Sequence, residues 1–219
     1  MEPAFITLEG GEGVGKTTQM KLLKERLPNL FPHREFVFTR EPGGTPFSDK
    51  IRELILSDEG KEADGMTMFG LFAAARAEHI RRIIKPALSE GKTVISDRFV
   101  GATYAYQAYA QDNPIPEDLF EAHLLSLRCT PALTLILDVD PNVAQARVHD
   151  RQKSQQVLTH FDARPMEFHE RLREGYLQFA KRYNTGIHRV ILVDAQGSVE
   201  EIHAAMAHVL KDLLKEKVE

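Results

Sequence analysis

A single cysteine, Cys129, occurs in 219 residues. It excludes an internal disulfide, reads as a small buried hydrophobe near a helix end, and points to the cytoplasm as the compartment. No apolar run approaches the length of a membrane-spanning helix, so no membrane partner is expected. The opening Met1-Glu2-Pro3 lacks the charged and apolar regions of a signal peptide and leads directly into a strand-like segment. An excess of basic charge is missing too. The 28 Lys and Arg stand against 32 Asp and Glu, a net charge of −4, so no nucleic-acid partner is expected. The 9 histidines show no zinc-ligand spacing, which argues against a structural metal. Repeats and low-complexity linkers are absent. What remains is one domain over residues 1–219, long enough to bury a substantial core.

Strand and helix patterns alternate from end to end, which implies a parallel sheet covered by helices. Strands are expected at 5–8, 34–39, 93–96, 133–137 and 190–193. Helical spacing marks 19–27, 47–56, 66–88, 101–110, 117–127, 142–151, 166–183 and 199–214. Residues 57–65 read as a polar, acidic break. Residues 152–159 are polar without apolar periodicity and are the best candidate for a mobile element, within a lid at about 147–162.

The most informative stretch is Gly10-Gly11-Glu12-Gly13-Val14-Gly15-Lys16-Thr17, followed by Thr18. Two glycines bracket four residues, then Lys, then Thr, between a strand and a helix start. Glycines let successive backbone N–H groups curl around a phosphate, and the helix N-terminus adds partial positive charge. Lys16 can reach the β- and γ-phosphates, and the Thr17 hydroxyl can ligate Mg²⁺. The bland alternative is a glycine-rich turn, which this context disfavours. The pattern is that of a nucleoside-triphosphate site.

The loop alone names no reaction. A guanine-specifying Asn-Lys-x-Asp is missing, which excludes an ordinary GTPase. The strand at 93–96 runs into Asp97-Arg98 at its C-terminal end, where open α/β sheets bind ligands. An arginine next to a metal-side carboxylate suits a second phosphorylated ligand better than an attacking water, because guanidinium grips phosphate bidentately. Asp97 could equally be a helix N-cap. Phe72 and Arg76 lie four apart on one helix face. On periodicity alone they read as a core residue and a surface charge. Together they could stack on and hydrogen-bond a flat base. The O4 acceptor of thymine would reward that arginine, and the amino donor of cytosine would not.

Several motifs carry a resemblance to bacterial thymidylate kinases. They are Glu9-Gly10-x-Glu12-x-x-Gly15-Lys16-Thr17-Thr18, Thr39-Arg40-Glu41-Pro42-Gly43-Gly44-Thr45, Phe72-x-x-x-Arg76, Asp97-Arg98-Phe99, Thr103, Ala105-Tyr106-Gln107 and Arg171-x-Arg173-x-x-Tyr176-Leu177. They run through most of the chain in the family's order, and the Arg-Glu-Pro-Gly-Gly-Thr segment discriminates best. The resemblance implies a three-layer α/β fold with a five-stranded parallel sheet, a lid over ATP, and a homodimer. It also implies transfer of the ATP γ-phosphoryl group to dTMP with Mg²⁺. Gly10 to Thr18 would bind ATP, with Thr17 and Asp97 on the metal side. Arg52 and Arg98 would hold the dTMP phosphate, while Phe72, Arg76, Thr103 and Gln107 meet the base. Tyr106 would crowd a ribose 2′-hydroxyl. Glu12 would orient the acceptor sugar or a neighbouring arginine.

The lid departs from the family pattern. Some thymidylate kinases carry the catalytic arginine inside the phosphate loop, but Gly13 occupies that position here. The charge must then come from the lid, where Arg147, Arg151, Lys153 and Arg164 are candidates. Arg151 is assigned the catalytic charge and Arg147 the second clamp. The family's Asp-Arg-x-Glu at the lid's end is Thr159-His160-Phe161-Asp162 here, so His160 would replace an arginine. Two other readings keep the same loop: a kinase for another nucleoside monophosphate or deoxynucleoside, and a non-catalytic ATP-binding switch. The switch needs no second nucleotide site, which the Phe72, Arg76 and Arg98 set argues for.

Overall fold

A computed structural model describes residues 2–153 and 159–214, with the side chains of 151–153 left aside. Five parallel strands form one sheet in the order β2-β3-β1-β4-β5. They are β1 (Phe5–Glu9), β2 (Phe36–Arg40), β3 (Thr93–Asp97), β4 (Leu133–Asp138) and β5 (Arg189–Asp194). The central strands β1, β3 and β4 are almost wholly buried, as unbroken apolar runs in a sheet covered on both faces should be. Each strand ends on a charged residue: Glu9, Arg40, Asp97, Asp138 and Asp194. The register sets Leu8 beside Asp97 and Arg40 beside Asp97, so these ends emerge along one edge. That edge is where ligands bind in this architecture.

Helices α1 (Lys16–Leu30) and α10 (Val199–Leu214) cover one face. Leu23, Leu27, Met206 and Leu210 from them join Ile6, Leu8 and Leu135 in one core. The other core gathers α2 (Pro46–Leu56), α4 (Gly65–His79), α5 (Lys85–Ser89), α6 (Val100–Thr103), α7 (Glu117–Leu127) and α9 (Met166–Tyr183). Helix α8 (Pro141–Lys153) follows β4.

Three local differences from the sequence expectation have physical causes. The break at 57–65 contains a short helix α3 (Asp58–Glu62), begun by the Ser57 hydroxyl accepting from the Gly60 N–H. The long helix expected at 66–88 widens into a π turn at Ile80–Ile84, just before Pro86, which has no N–H for the α-helical bond. A second π segment, Tyr104–Ala110, continues α6. Cys129 is half-buried rather than core, and burial pushes its thiol up to about 11. No helix among the described residues is long and apolar enough to cross a membrane.

Two histidines give the fold a pH dependence. His188 bonds Thr134 through Nε2 at 2.8 Å, and His123 bonds Arg76 at 3.1 Å. Burial lowers both to about 4, with the Arg76 charge adding to the effect at His123. Between pH 6.5 and 4 the unfolded chain therefore binds more protons than the fold, and stability present above 6.5 is lost as pH falls. The wild-type melting temperature is expected to drop over that window by roughly 5 °C more than that of His188→Gln. Parallel melting curves for the two proteins would contradict this.

Candidate active site

The phosphate loop spans the gap between β1 and α1. Gly13 has φ 75°, and a Cβ there would stand 2.2 Å from the carbonyl oxygen of Ala144 on α8. No side chain fits, which accounts for the absence of an arginine at this position. Lys16 folds back over its own loop and donates to the carbonyls of Gly10 at 2.8 Å and Gly11 at 2.5 Å. Burial, with the charge of Arg98 adding to it, lowers this ammonium to about 8. Thr17 and Thr18 are exposed at the head of α1 and line an open cleft of about 790 Å³.

Asp97, Arg98, Arg40, Arg52 and Arg147 stand on the walls of that cleft. Asp97 is the last residue of β3 and does not cap a helix, since Phe99 precedes α6. Its Oδ1 is buried without a hydrogen-bond partner among the described residues. The Thr17 hydroxyl lines the same cleft, and such oxygen donors would suit a hard cation, because Mg²⁺ prefers oxygen ligands and one or two protein donors beside phosphate.

Arg98 stands at the junction of this cleft and a second cavity. Its backbone is left-handed at φ 72°, which costs a non-glycine residue roughly 1–2 kcal/mol. Its Nη1 donates to Gly10 O at 2.9 Å and to Tyr176 Oη at 3.1 Å, and its Nη2 to Glu12 Oε1 at 2.9 Å. The guanidinium lies 5.2 Å over the Tyr106 ring, whose hydroxyl bonds the Glu12 carboxylate at 2.5 Å. Burial alone would raise Glu12, but Arg98, Lys16 and the Tyr106 hydroxyl outweigh it and hold the carboxyl below its ordinary value. A lone carboxylate inside an anion-binding loop would repel phosphate, and this one is paired with the neighbouring arginine.

The second cavity, of about 120 Å³, is walled by Arg52, Phe72, Thr103, Tyr106 and Gln107. These residues come from α2, α4, α6 and the π segment after it, and the fold brings them together. Gln107 Nε2 is buried there without a partner among the described residues. Arg52 donates to Pro42 O at 3.2 Å, across a cis Glu41–Pro42 peptide. Ile55, Thr159 and Phe161 also line the cavity and were missed as site residues, since helical spacing marks Ile55 only as an apolar helix face and nothing marks the other two.

Thymidylate kinase is the family whose model matches residues 8–206. The chain belongs to the thymidylate kinase family. It is 40% identical over 202 residues to the thymidylate kinase of Syntrophotalea carbinolica, with 90% of each chain covered. Identity to the enzyme of Symbiobacterium thermophilum is 39% over 212 residues, covering 96% of this chain and 94% of the relative. The crystal structure of thymidylate kinase from Ehrlichia chaffeensis superposes with a TM-score of 0.73 at 34% identity, covering 96% of this chain and 99% of that one. The protein is therefore a kinase of this family, with the fold expected for it.

Within this thymidylate kinase, several expected residues sit differently from their sequence reading. Arg76 is neither a surface charge nor part of the cavity wall. It is 1% exposed, and its Nε donates to Glu41 at 2.8 Å. Its Nη2 donates to Phe99 O at 3.0 Å and to Thr103 Oγ1 at 2.8 Å, while Nη1 meets His123 Nε2. Four of its five N–H groups are thus engaged, since guanidinium has five in a fixed fork. Arg147 donates to Ala195 O at 2.9 Å and Gln196 O at 3.4 Å, so it ties α8 to the turn after β5. His160 bonds Ile55 O at 3.0 Å and does not line the large cleft. Arg164 lies 5.5 Å over the Phe168 ring. Arg173 pairs with Asp138 at 2.7 Å. The side chain of Arg151, and with it that of Lys153, lies outside the described residues.

Proposed function

We propose that this kinase transfers the γ-phosphoryl group of ATP to dTMP, giving dTDP and ADP, with the triphosphate in the large cleft and dTMP in the smaller cavity. The observation that carries this is the meeting of the two chambers at Arg98, which lines both. A group there can touch the acceptor phosphate from one side and the transferred phosphoryl from the other. Such transfer needs little covalent help from the protein and depends on positioning and charge.

The phosphate loop from Gly10 to Thr18 cradles the donor, with Lys16 leaving its own carbonyls for the β- and γ-phosphates. Thr17 and Asp97 would hold Mg²⁺, which would supply positive charge to the donor phosphates. Arg52 and Arg98 hold the dTMP phosphate so that its oxygen lines up with the γ-phosphorus. Phe72 stacks on the base, and Gln107 Nε2 and Thr103 face its edge. Arg76, buried behind the cavity wall, donates to the Thr103 hydroxyl and so leaves its O–H to meet O4, and loss of that contact disfavours dCMP by roughly 1–3 kcal/mol. Tyr106, pinned by Glu12, leaves no room for a 2′-hydroxyl. Arg151 brings the catalytic charge from the lid and Arg147 the second clamp.

The kinase works as a cytoplasmic homodimer. Gly70, Ala74 and Ala77 leave a small-residue face exposed on α4, with open space over Gly70. Small residues let a second helix approach closely, and sedimentation at the mass of two chains checks the state. The acceptor assignment has its own test. Phe72→Ala is expected to raise the KM for dTMP about tenfold and leave the KM for ATP within about twofold, because it removes only stacking area. An equal rise in both constants would contradict it.

A further inference from the structure

We propose that Glu9 is a positioning residue for Arg98, holding the peptide that follows it so that the guanidinium stays between the two chambers. An arginine rests more comfortably in the ordinary helical or extended regions than at φ 72°. Something must hold it there, and three hydrogen bonds do. The Arg98 N–H donates to Leu8 O at 2.9 Å, and the Ser96 hydroxyl donates to Arg98 O at 2.8 Å. The next N–H, on Phe99, donates to Glu9 Oε1 at 2.8 Å. Only Ser96 and Glu9 supply side chains to this clamp. A backbone that relaxed would redirect the Cα–Cβ bond of Arg98 and withdraw its side chain from the junction.

The surroundings of Glu9 agree with a role that outweighs its cost. The side chain is 0% exposed, and beside the Phe99 N–H only a weaker contact from the Ala102 N–H steadies its carboxylate among the described residues. Burial raises its carboxyl to about 7 although Arg98 and Arg76 both oppose the shift. A buried carboxyl so poorly paired is destabilising on its own account. Gly101 makes room for it, since a Cβ there would stand 3.0 Å from Glu9 Oε1. The Phe99 peptide is gripped from its other end as well, its carbonyl accepting from Arg76. Glu9 therefore fixes one segment that serves both the phosphate arginine and the arginine behind the base.

This inference rests on the assignment of Arg98 to the acceptor phosphate, so steady-state kinetics should vary dTMP and ATP separately. Glu9→Ala is expected to raise the dTMP KM at least about tenfold while the ATP KM stays within about threefold. Glu9→Gln keeps an oxygen for the Phe99 N–H and should bring the dTMP KM back to within about threefold of wild type. In an Arg98→Ala background, Glu9→Ala should raise the dTMP KM by less than about threefold further, because it acts chiefly through that side chain. Should Glu9→Ala fail to fold, Ser96→Ala loosens the same clamp and should raise the dTMP KM in the same direction. An unchanged dTMP KM in Ser96→Ala, equal rises for both substrates in Glu9→Ala, or full additivity with Arg98→Ala would overturn the role of Glu9. If Arg98→Ala alone left the dTMP KM unchanged, the acceptor assignment itself would fall.

Discussion

Lys16→Ala is expected to lower turnover by at least about a thousandfold while the protein stays folded. Both halves follow from the surroundings of the ammonium. It is buried and pushed down to about 8, so the free protein gains little stability from holding it there. Among the described residues its hydrogen bonds are to the Gly10 and Gly11 carbonyls of the loop it serves. Removing it therefore spares the cores and should leave the melting temperature unchanged or slightly higher. In the transition state, by contrast, charge accumulates on the oxygens around the moving phosphorus, inside a cleft where a fixed cation counts for far more than in water. Turnover within about tenfold of wild type, measured by ADP release, would contradict this assignment of the donor site.

Arg151→Ala is expected to lower kcat about 10²–10³-fold with less than about a threefold change in the dTMP KM. Gly13 cannot carry an arginine, because any side chain there meets the Ala144 backbone. Arg147 is tied to the Ala195 and Gln196 carbonyls, His160 to Ile55 O, and Arg164 lies on Phe168. Arg151 is one turn beyond Arg147 on α8, on the helix that packs over the phosphate loop. Arg147→Ala, which mainly loosens that helix from the β5 turn, should raise the ATP KM more than it lowers kcat. A nearly silent Arg151→Ala, with a large kcat loss in Arg147→Ala, would move the catalytic charge to Arg147.

Much of this was legible in the sequence for local reasons. The phosphate loop is contiguous, and its glycines answer backbone demands that no distant contact can alter. The five strands announce themselves as short apolar runs, because a sheet covered on both faces needs them. Helix periodicity found α7 and α9 to the residue, since each buries one clear face. Phe72, Thr103, Tyr106, Gln107 and Arg52 were found through motif resemblance, and the fold gathers them around one cavity. Buried polar pairing was the illegible part. Arg76 read as exposed on periodicity, because its partners Glu41, His123 and Phe99 come from three other parts of the chain. Glu9 stood in the sequence only as the first residue of the loop motif, just past the strand expected at 5–8, and only the neighbouring backbone reveals what its carboxylate holds. Thr159 and Phe161 fall in a segment without periodicity, yet Phe161 packs 5.5 Å from the Tyr106 ring and closes the cavity. His160 shows the same limit: aligned by motif with a donor-side cation, it bonds a backbone carbonyl at the end of α2.

The claim that organises all of these assignments is that the smaller cavity selects dTMP as phosphoryl acceptor. A coupled ADP-release assay with ATP and Mg²⁺, run in parallel on dTMP, dUMP, dCMP, AMP and thymidine, tests it most directly. The account predicts the highest kcat/KM for dTMP, with dCMP lower by about 10–100-fold and thymidine inactive for want of a phosphate for Arg52 and Arg98 to hold. Equal rates across the monophosphates, or faster turnover of AMP than of dTMP, would contradict it.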